Sequence, residues 1–268
     1  MKSYPSEKEA RELICEIGHR MWNKQMVAAN DGNITVRIGE NAVLITPTGV
    51  SKGELTPDML FKMDLDGNII ERAEGYSPTS ETAMHLMVYK HNADAMSTCH
   101  AHCMFLSTFA SAGIELDMAT APEPTLITGR IPVAPYACPG TSDLAESIVP
   151  FLKDHKVIML ANHGPISWGT SPKDAWYCLE SAEAFAKSSL ILKYIIKDYR
   201  PLSNEQLEIL EKAFHPISAP NKVRTAHETV NLEKGKSLQD IDADAVTLTD
   251  ACMEKLADMV AKRLTQQS

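Results

Sequence analysis

Long apolar runs are missing from this 268-residue sequence, although hydrophobic residues make up 44% of it. No stretch approaches the roughly 20 residues that a membrane-spanning helix requires. Cysteine is sparse, six in all, too few for the disulfide framework on which small secreted domains depend. The N-terminal MKSYPSEKEARELICEIG has no apolar centre of the kind a secretion signal needs. A cytoplasmic protein with reduced thiols is therefore expected. Positive charge is in deficit: 26 Lys and Arg stand against 35 Asp and Glu, for a net charge of −9. Such a chain lacks the basic footprint of a nucleic-acid binder and is repelled by anionic membrane surfaces. Neither nucleic acid nor membrane is an expected partner. The 3 Trp, 7 Tyr and 6 Phe all lie between Tyr4 and Phe214, and residues 215–268 have none. A tail without aromatics, rich in Asp, Glu, Lys and Thr, buries too little apolar area to offset its ordering entropy. The compact domain is expected to span residues 1–216, with 217–245 a flexible linker.

What is present reads as an α/β layered domain. Leu13, Ile14, Ile17, Met21 and Trp22 recur at helical spacing within residues 6–29. Gly32-Asn33 turns the chain into two short β-branched runs, ITVRI (34–38) and AVLIT (42–46). Residues 59–64 and 68–71 suggest a hairpin around Asp66-Gly67. A helix starts at Ser80-Glu81 and runs to Asn92; MSTCHAHC (96–103) and VIMLAN (157–162) read as strands. Ser171 caps a helix over 172–197, with Pro172 first and Asp174 in its opening turn.

The sharpest chemical feature is Cys99-His100-Ala101-His102-Cys103. On a strand His100 and His102 project to one side, with Cys99, Ala101 and Cys103 to the other, so both imidazoles can reach one metal but the thiols cannot join them. His163, held by Gly164 after the VIMLAN strand, could supply a third imidazole. Three His with an open position is the arrangement of a catalytic zinc; ordinary polar residues at strand ends is the plainer alternative. Ser77-Pro78-Thr79-Ser80-Glu81 offers hydroxyls and free N–H groups to a phosphate, or is simply a capped helix start. Glu81 there could act as metal ligand, general base or both. His85, one turn on, reads better as a packed supporting histidine than as a ligand. Asp31-Gly32-Asn33 and Thr46-Pro47-Thr48-Gly49 are small-residue turns whose N–H groups could also meet an anion.

Taken in order, AANDGNITVRI, LITPTGVSKGEL, SPTSETAMH, CHAHC, RIPVAPYACPGT and ANHGPISWG resemble the class II aldolase/adducin family of zinc-dependent sugar-phosphate enzymes, over roughly residues 8–214. The resemblance implies a three-layer α/β fold with a central, mostly antiparallel sheet flanked by helices, assembled as a homotetramer with sites at subunit interfaces. It implies one Zn2+ per subunit on His100, His102 and His163, with Glu81 completing the resting coordination. It implies a phosphate pocket of Gly32, Asn33, Thr48, Gly49, Thr79 and Ser80; Thr79 and Thr35 stand where many members carry serine, and both keep the hydroxyl. Zinc then stabilises the enediolate left when the C3–C4 bond of a ketose 1-phosphate breaks, and Glu81 exchanges the proton. Tyr136 resembles the aldolase tyrosine that a neighbouring subunit brings to the aldehyde oxygen, which favours aldolase over the epimerase branch; epimerase or dehydratase activity on a related phosphate is the alternative. No match to the family's second, C-terminal tyrosine is found; Phe214 and His215 lie there. L-Fuculose 1-phosphate, giving dihydroxyacetone phosphate and lactaldehyde, is the expected substrate. An adducin-like binding module is the contrasting class, and retention of His100, His102, His163 and Glu81 argues against it.

Residues 246–264, VTLTDACMEKLADMVAKRL, regain helical periodicity, with acidic residues early and Lys262 and Arg263 late. The segment 246–268 resembles the encapsulation peptides that dock enzymes on shell or cargo proteins of bacterial microcompartments. A tail helix packing on its own tetramer is the other reading.

Overall fold

In a computed structural model the structure describes residues 3–215 and Val223. The expected helix at 246–268, and the expected linker at 217–245 apart from Val223, lie outside the described residues. Eight strands form one sheet in the order β4-β3-β2-β1-β5-β8-β7-β6. They are β1 (Asn33–Gly39), β2 (Ala42–Ile45), β3 (Phe61–Met63), β4 (Ile69–Glu71), β5 (Ser97–His100), β6 (Val133–Ala134), β7 (Val157–Leu160) and β8 (Pro165–Gly169). Every neighbouring pair is antiparallel except β6 with β7. The helices are α1 (Glu7–Asn23), α2 (Thr82–His91), α3 (Met104–Ala112), α4 (Pro122–Ile127), α5 (Ser142–Ser147), α6 (Pro172–Leu190) and α7 (Asn204–Ala213).

Alternation along the strands divides the core in two. Leu44, Cys99, Val157 and Met159 join one buried cluster with Ile14, Ile17 and Met21 of α1, Leu106 and Phe109 of α3 and Trp176 and Phe185 of α6. Their neighbours Val43, Ile45, Ile158 and Leu160 join the other, with Met84 and Val88 of α2 and Leu144 of α5. Helices therefore cover both faces of the sheet, and the expected three layers are present. Each long helix starts where its sequence provides a cap. Ser6 accepts from Glu9 N–H at the head of α1 and Ser171 from Asp174 N–H at the head of α6.

Some boundaries differ from the sequence reading. α1 ends at Asn23 rather than 29: Lys24 N–H bonds back to Arg20, Gln25 takes a left-handed φ of 57°, and Met26 and Val27 reach the core beyond that turn. β5 stops at His100: beyond it only a long bond, Ala101 N–H to the Pro165 carbonyl at 3.4 Å, continues the pairing with β8, and Cys103 is already the N-cap residue of α3. α6 passes after Leu190 into a wider turn over Ile191–Ile196. α7, unforeseen, opens on a reciprocal Ser203–Gln206 cap. Leu207 of α7 is buried with Ala119 and Val223, so Val223 packs in a core cluster beyond the expected boundary at 216.

Candidate metal centre

Two sheet elements and one helix start bring the chemistry together. β5 delivers His100 at its last residue, with His102 two residues on. The β7–β8 turn delivers His163: Asn162 takes the left-handed conformation that asparagine tolerates (φ 57°), and Leu160 N–H closes the turn on Gly164 O at 2.9 Å. The three rings lie with centroids 4.7 to 5.1 Å apart, and one ligand nitrogen from each lies within 4.8 Å of the others. Cys99 and Cys103 are buried in the core on the other side, as strand alternation requires. Glu81 sits at the N-cap of α2, one residue before the helix, and its side chain makes no cap. It turns instead to the rings, Oε2 at 3.3 Å from His100 Nε2 and Oε1 at 3.2 Å from His163 Nε2.

The hydrogen bonds around this cluster decide what it can hold. His100 donates from Nδ1 to the Pro165 carbonyl at 2.9 Å, so in a neutral ring Nε2 carries the lone pair. Burial pushes His100 down to about 3, against the pull of Glu81, and lowers His163 in the same way. Burial alone would raise the Glu81 carboxyl; the His100 ring, the Asn33 carboxamide and the His163 ring outweigh it and hold it at about 2. The His100 lone pair thus faces an ionised carboxylate, and neither Glu81 Oε1 nor His100 Nε2, both buried, has a hydrogen-bond partner among the described residues. The His100 lone pair and the Glu81 carboxylate repel each other unless a cation sits between them, and His102 and His163 stand within reach of the same ion. The donor set fits a divalent transition metal.

Supporting contacts fix each ligand. Asn33 of β1, paired with His100 across the sheet, donates to Glu81 Oε2 at 2.9 Å and to Thr79 Oγ1 at 3.1 Å. Its carbonyl oxygen meets Nε2 of His85, whose Nδ1 meets Thr98. His85 is fully buried, a packed support rather than a ligand. His102 Nδ1 lies 3.2 Å from Asp31 Oδ2; an N–H donated there leaves Nε2 for a metal, the usual way a carboxylate orients a liganding histidine. The sequence reading treated Asp31 only as part of a turn. Glu183 of α6 accepts from Phe105 and Leu106 N–H, both at 2.9 Å, and so pins the start of α3 directly behind His102.

The residues expected to bind phosphate lie on neighbouring turns. Thr48 N–H donates to Ser77 O at 2.9 Å and Thr79 N–H to Thr46 O at 3.2 Å, which joins the two loops. The side chains of Asn33 and Thr79 are occupied with Glu81 in this geometry; Thr48, Gly49 and Ser80 are exposed and Gly32 lies at the head of β1. The loop through Gly140 runs against Ser80. Tyr136, two residues past β6 on that loop, is 65% exposed and makes none of the contacts that tie the cluster together.

Residues 12–190 match the family model for the class II aldolase and adducin N-terminal domain, and the chain belongs to that family. It is similar to the 3-oxo-tetronate 4-phosphate decarboxylase of Haemophilus influenzae, 32% identical over 182 residues that cover 66% of this chain and 85% of that one. It is equally similar to the L-fuculose phosphate aldolase of Methanococcus maripaludis, 32% identical over 67% of this chain and 93% of that one. A solved L-fuculose 1-phosphate aldolase superposes with a TM-score of 0.71 at 25% identity, over 79% of this chain and 98% of the other.

Proposed function

We propose that the protein is a zinc-dependent aldolase that cleaves a ketose 1-phosphate, L-fuculose 1-phosphate by preference, into dihydroxyacetone phosphate and lactaldehyde. The observation that carries this reading is the convergence of three histidine rings, one ligand nitrogen from each within 4.8 Å of the others, beside a buried Glu81 carboxylate 3.3 Å from His100 Nε2 and 3.2 Å from His163 Nε2. His100, His102 and His163, with Glu81 at rest, would hold one zinc ion per subunit, whose Lewis acidity would stabilise negative charge developing on the substrate's C2 and C3 oxygens. Glu81 carries the proton: in cleavage it protonates the carbon that was C3, and in synthesis it removes that proton again. Tyr136 serves the other end, at the C4 oxygen, whose proton leaves as the C3–C4 bond breaks. Its exposure suits delivery to a neighbouring subunit in a homotetramer. Gly32, Asn33, Thr48, Gly49, Thr79 and Ser80 receive the phosphate, with Asn33 and Thr79 exchanging Glu81 for the anion.

The test is release of dihydroxyacetone phosphate from L-fuculose 1-phosphate by zinc-loaded protein, beside Glu81→Gln and Tyr136→Phe. Wild-type release, nearly lost in Glu81→Gln and reduced in Tyr136→Phe with zinc content unchanged in the latter, supports the aldolase. No release, with carbon dioxide evolved from 3-oxo-tetronate 4-phosphate instead, moves the assignment to the decarboxylase chemistry for which the Haemophilus relative is named. The segment 246–268 is proposed to deliver the cytoplasmic enzyme to a microcompartment shell or cargo protein. Deleting 228–268, which spares Val223, then leaves catalysis intact and abolishes co-localisation with shell protein; lost activity counts against it.

A further inference from the structure

One charged side chain outside the metal cluster is buried without a counter-ion. Lys52, on the short turn Lys52–Glu54 after β2, is 1% exposed. Its ammonium donates to the Asn30 carbonyl at 3.0 Å and to the Val50 carbonyl. Among the described residues no carboxylate makes an ion pair with it. Burial brings it down to about 8, with the charge of Asp31 acting the other way. The turn is clamped to α1 by two glycines: a Cβ on Gly18 would lie 2.6 Å from Lys52 O, and one on Gly53 would lie 2.7 Å from the Trp22 ring. The backbone that carries the lysine is therefore fixed against α1, and an uncompensated cation in such a place is costly.

Its two acceptors have a common meaning. Asn30 stands two residues before Gly32 and Val50 directly after Gly49, and both glycines hold left-handed backbone, φ +79° and +75°. Lys52 thus ties together the two turns that the proposed function assigns to the substrate's phosphate. We infer that Lys52 is a positioning residue of the phosphate subsite, locking the Asn30–Asn33 and Thr48–Val50 turns in register and supplying the buried positive charge that a phosphate dianion neutralises. This rests on the phosphate-binding reading above and adds to it the cation that a pocket of hydroxyls and N–H groups lacks.

The experiment titrates inorganic phosphate into zinc-loaded wild type, Lys52→Gln and Lys52→Arg by calorimetry, with zinc content and melting temperature measured alongside. Gln keeps the N–H donors without the charge; Arg keeps the charge. Lys52→Gln is expected to weaken phosphate by about tenfold, the scale of one charge acting through a protein interior, while retaining zinc; Lys52→Arg restores most of the affinity. Phosphate bound by Lys52→Gln as tightly as by wild type overturns the inference. Should Lys52→Gln not fold, wild type against Lys52→Arg carries the test: wild type is expected to lose phosphate affinity as the pH rises through about 8, where the lysine sheds its charge, while Arg, which stays charged, keeps it; parallel profiles overturn the inference. Wild type that binds no phosphate overturns the phosphate-site reading itself, leaving the metal cluster untouched.

Discussion

Replacing Gly164 with alanine separates the two segments that carry the histidines, and its cost can be worked from contacts. A Cβ at this position lies 2.4 Å from the Ala101 carbonyl oxygen and 3.2 Å from His102 Cδ2. A carbon and a carbonyl oxygen approach no closer than about 3.3 Å without strain, so the gap must open by about 0.9 Å. The obstacle is backbone, which no rotamer change relieves. Opening also stretches the bond from Ala101 N–H to Pro165 O, already 3.4 Å long. Overpacking costs about 1–3 kcal/mol and a lost hydrogen bond about 1 kcal/mol, which together give roughly 2–4 kcal/mol. Because His102 and His163 move apart, zinc affinity falls about 10- to 100-fold, the range for disturbed support of metal ligands. Urea unfolding of zinc-free protein reads the first number and competition with a chromophoric chelator the second. Gly113→Ala is the control: its φ is +65° with nothing within 4 Å of an added Cβ, so it pays only the left-handed penalty of about 1–2 kcal/mol and keeps its zinc affinity. A Gly164→Ala protein no less stable than Gly113→Ala, with zinc affinity indistinguishable from wild type, refutes the reasoning.

Asn33→Ala removes the donor to Glu81 and the acceptor for His85; thermal unfolding is expected to show a loss of about 2–3 kcal/mol, the cost of stranding buried polar partners. Glu183→Ala uncovers two N–H groups at the start of α3 and should cost about 1–2 kcal/mol by urea unfolding, as loss of a helix cap does. Asp174 would be raised by burial alone, but the Thr170 N–H and Lys156 outweigh this and lower it below 3.8. A depressed carboxyl binds protons less readily folded than unfolded, so its stabilisation is present above 3.8 and fades as the pH falls below it. The stability gap between wild type and Asp174→Asn, measured as urea midpoints across an acid series, is expected to close on that side; a constant gap contradicts it.

Strand alternation carries far in this chain. The period-2 pattern of Cys99 to Cys103 is enough to part imidazoles from thiols, and it still holds although the strand ends at His100: Cys99 and Cys103 are buried in the same core cluster. Glu81 is marked by Ser-Glu before an apolar helix, and Ser171-Pro172 marks α6. What escapes is long-range or left-handed. Asp31 acquires its role only when the turn after α1 meets the segment after β5, and Lys52 only when that turn meets the one after β2, which no local pattern encodes. The end of α1 is hidden because Gln25, not glycine, turns the corner, and Met26 and Val27 continue the apolar pattern. α3 and α5 are short and owe their ends to Glu183 and to Thr141. The Ser203–Gln206 box is readable, but a boundary argued from aromatic content alone passes over it.

The buried thiols have a use at the bench. Burial pushes the Cys99 and Cys103 thiols far up, Cys178 to about 12 and the half-buried Cys15 to about 11, so alkylating reagents find little thiolate at these four. Cys138 is exposed, on the loop that carries Tyr136. With Cys252 replaced by serine, a maleimide dye should therefore mark a single spot beside that tyrosine. Its emission would follow the loop as substrate arrives, without touching a candidate metal ligand.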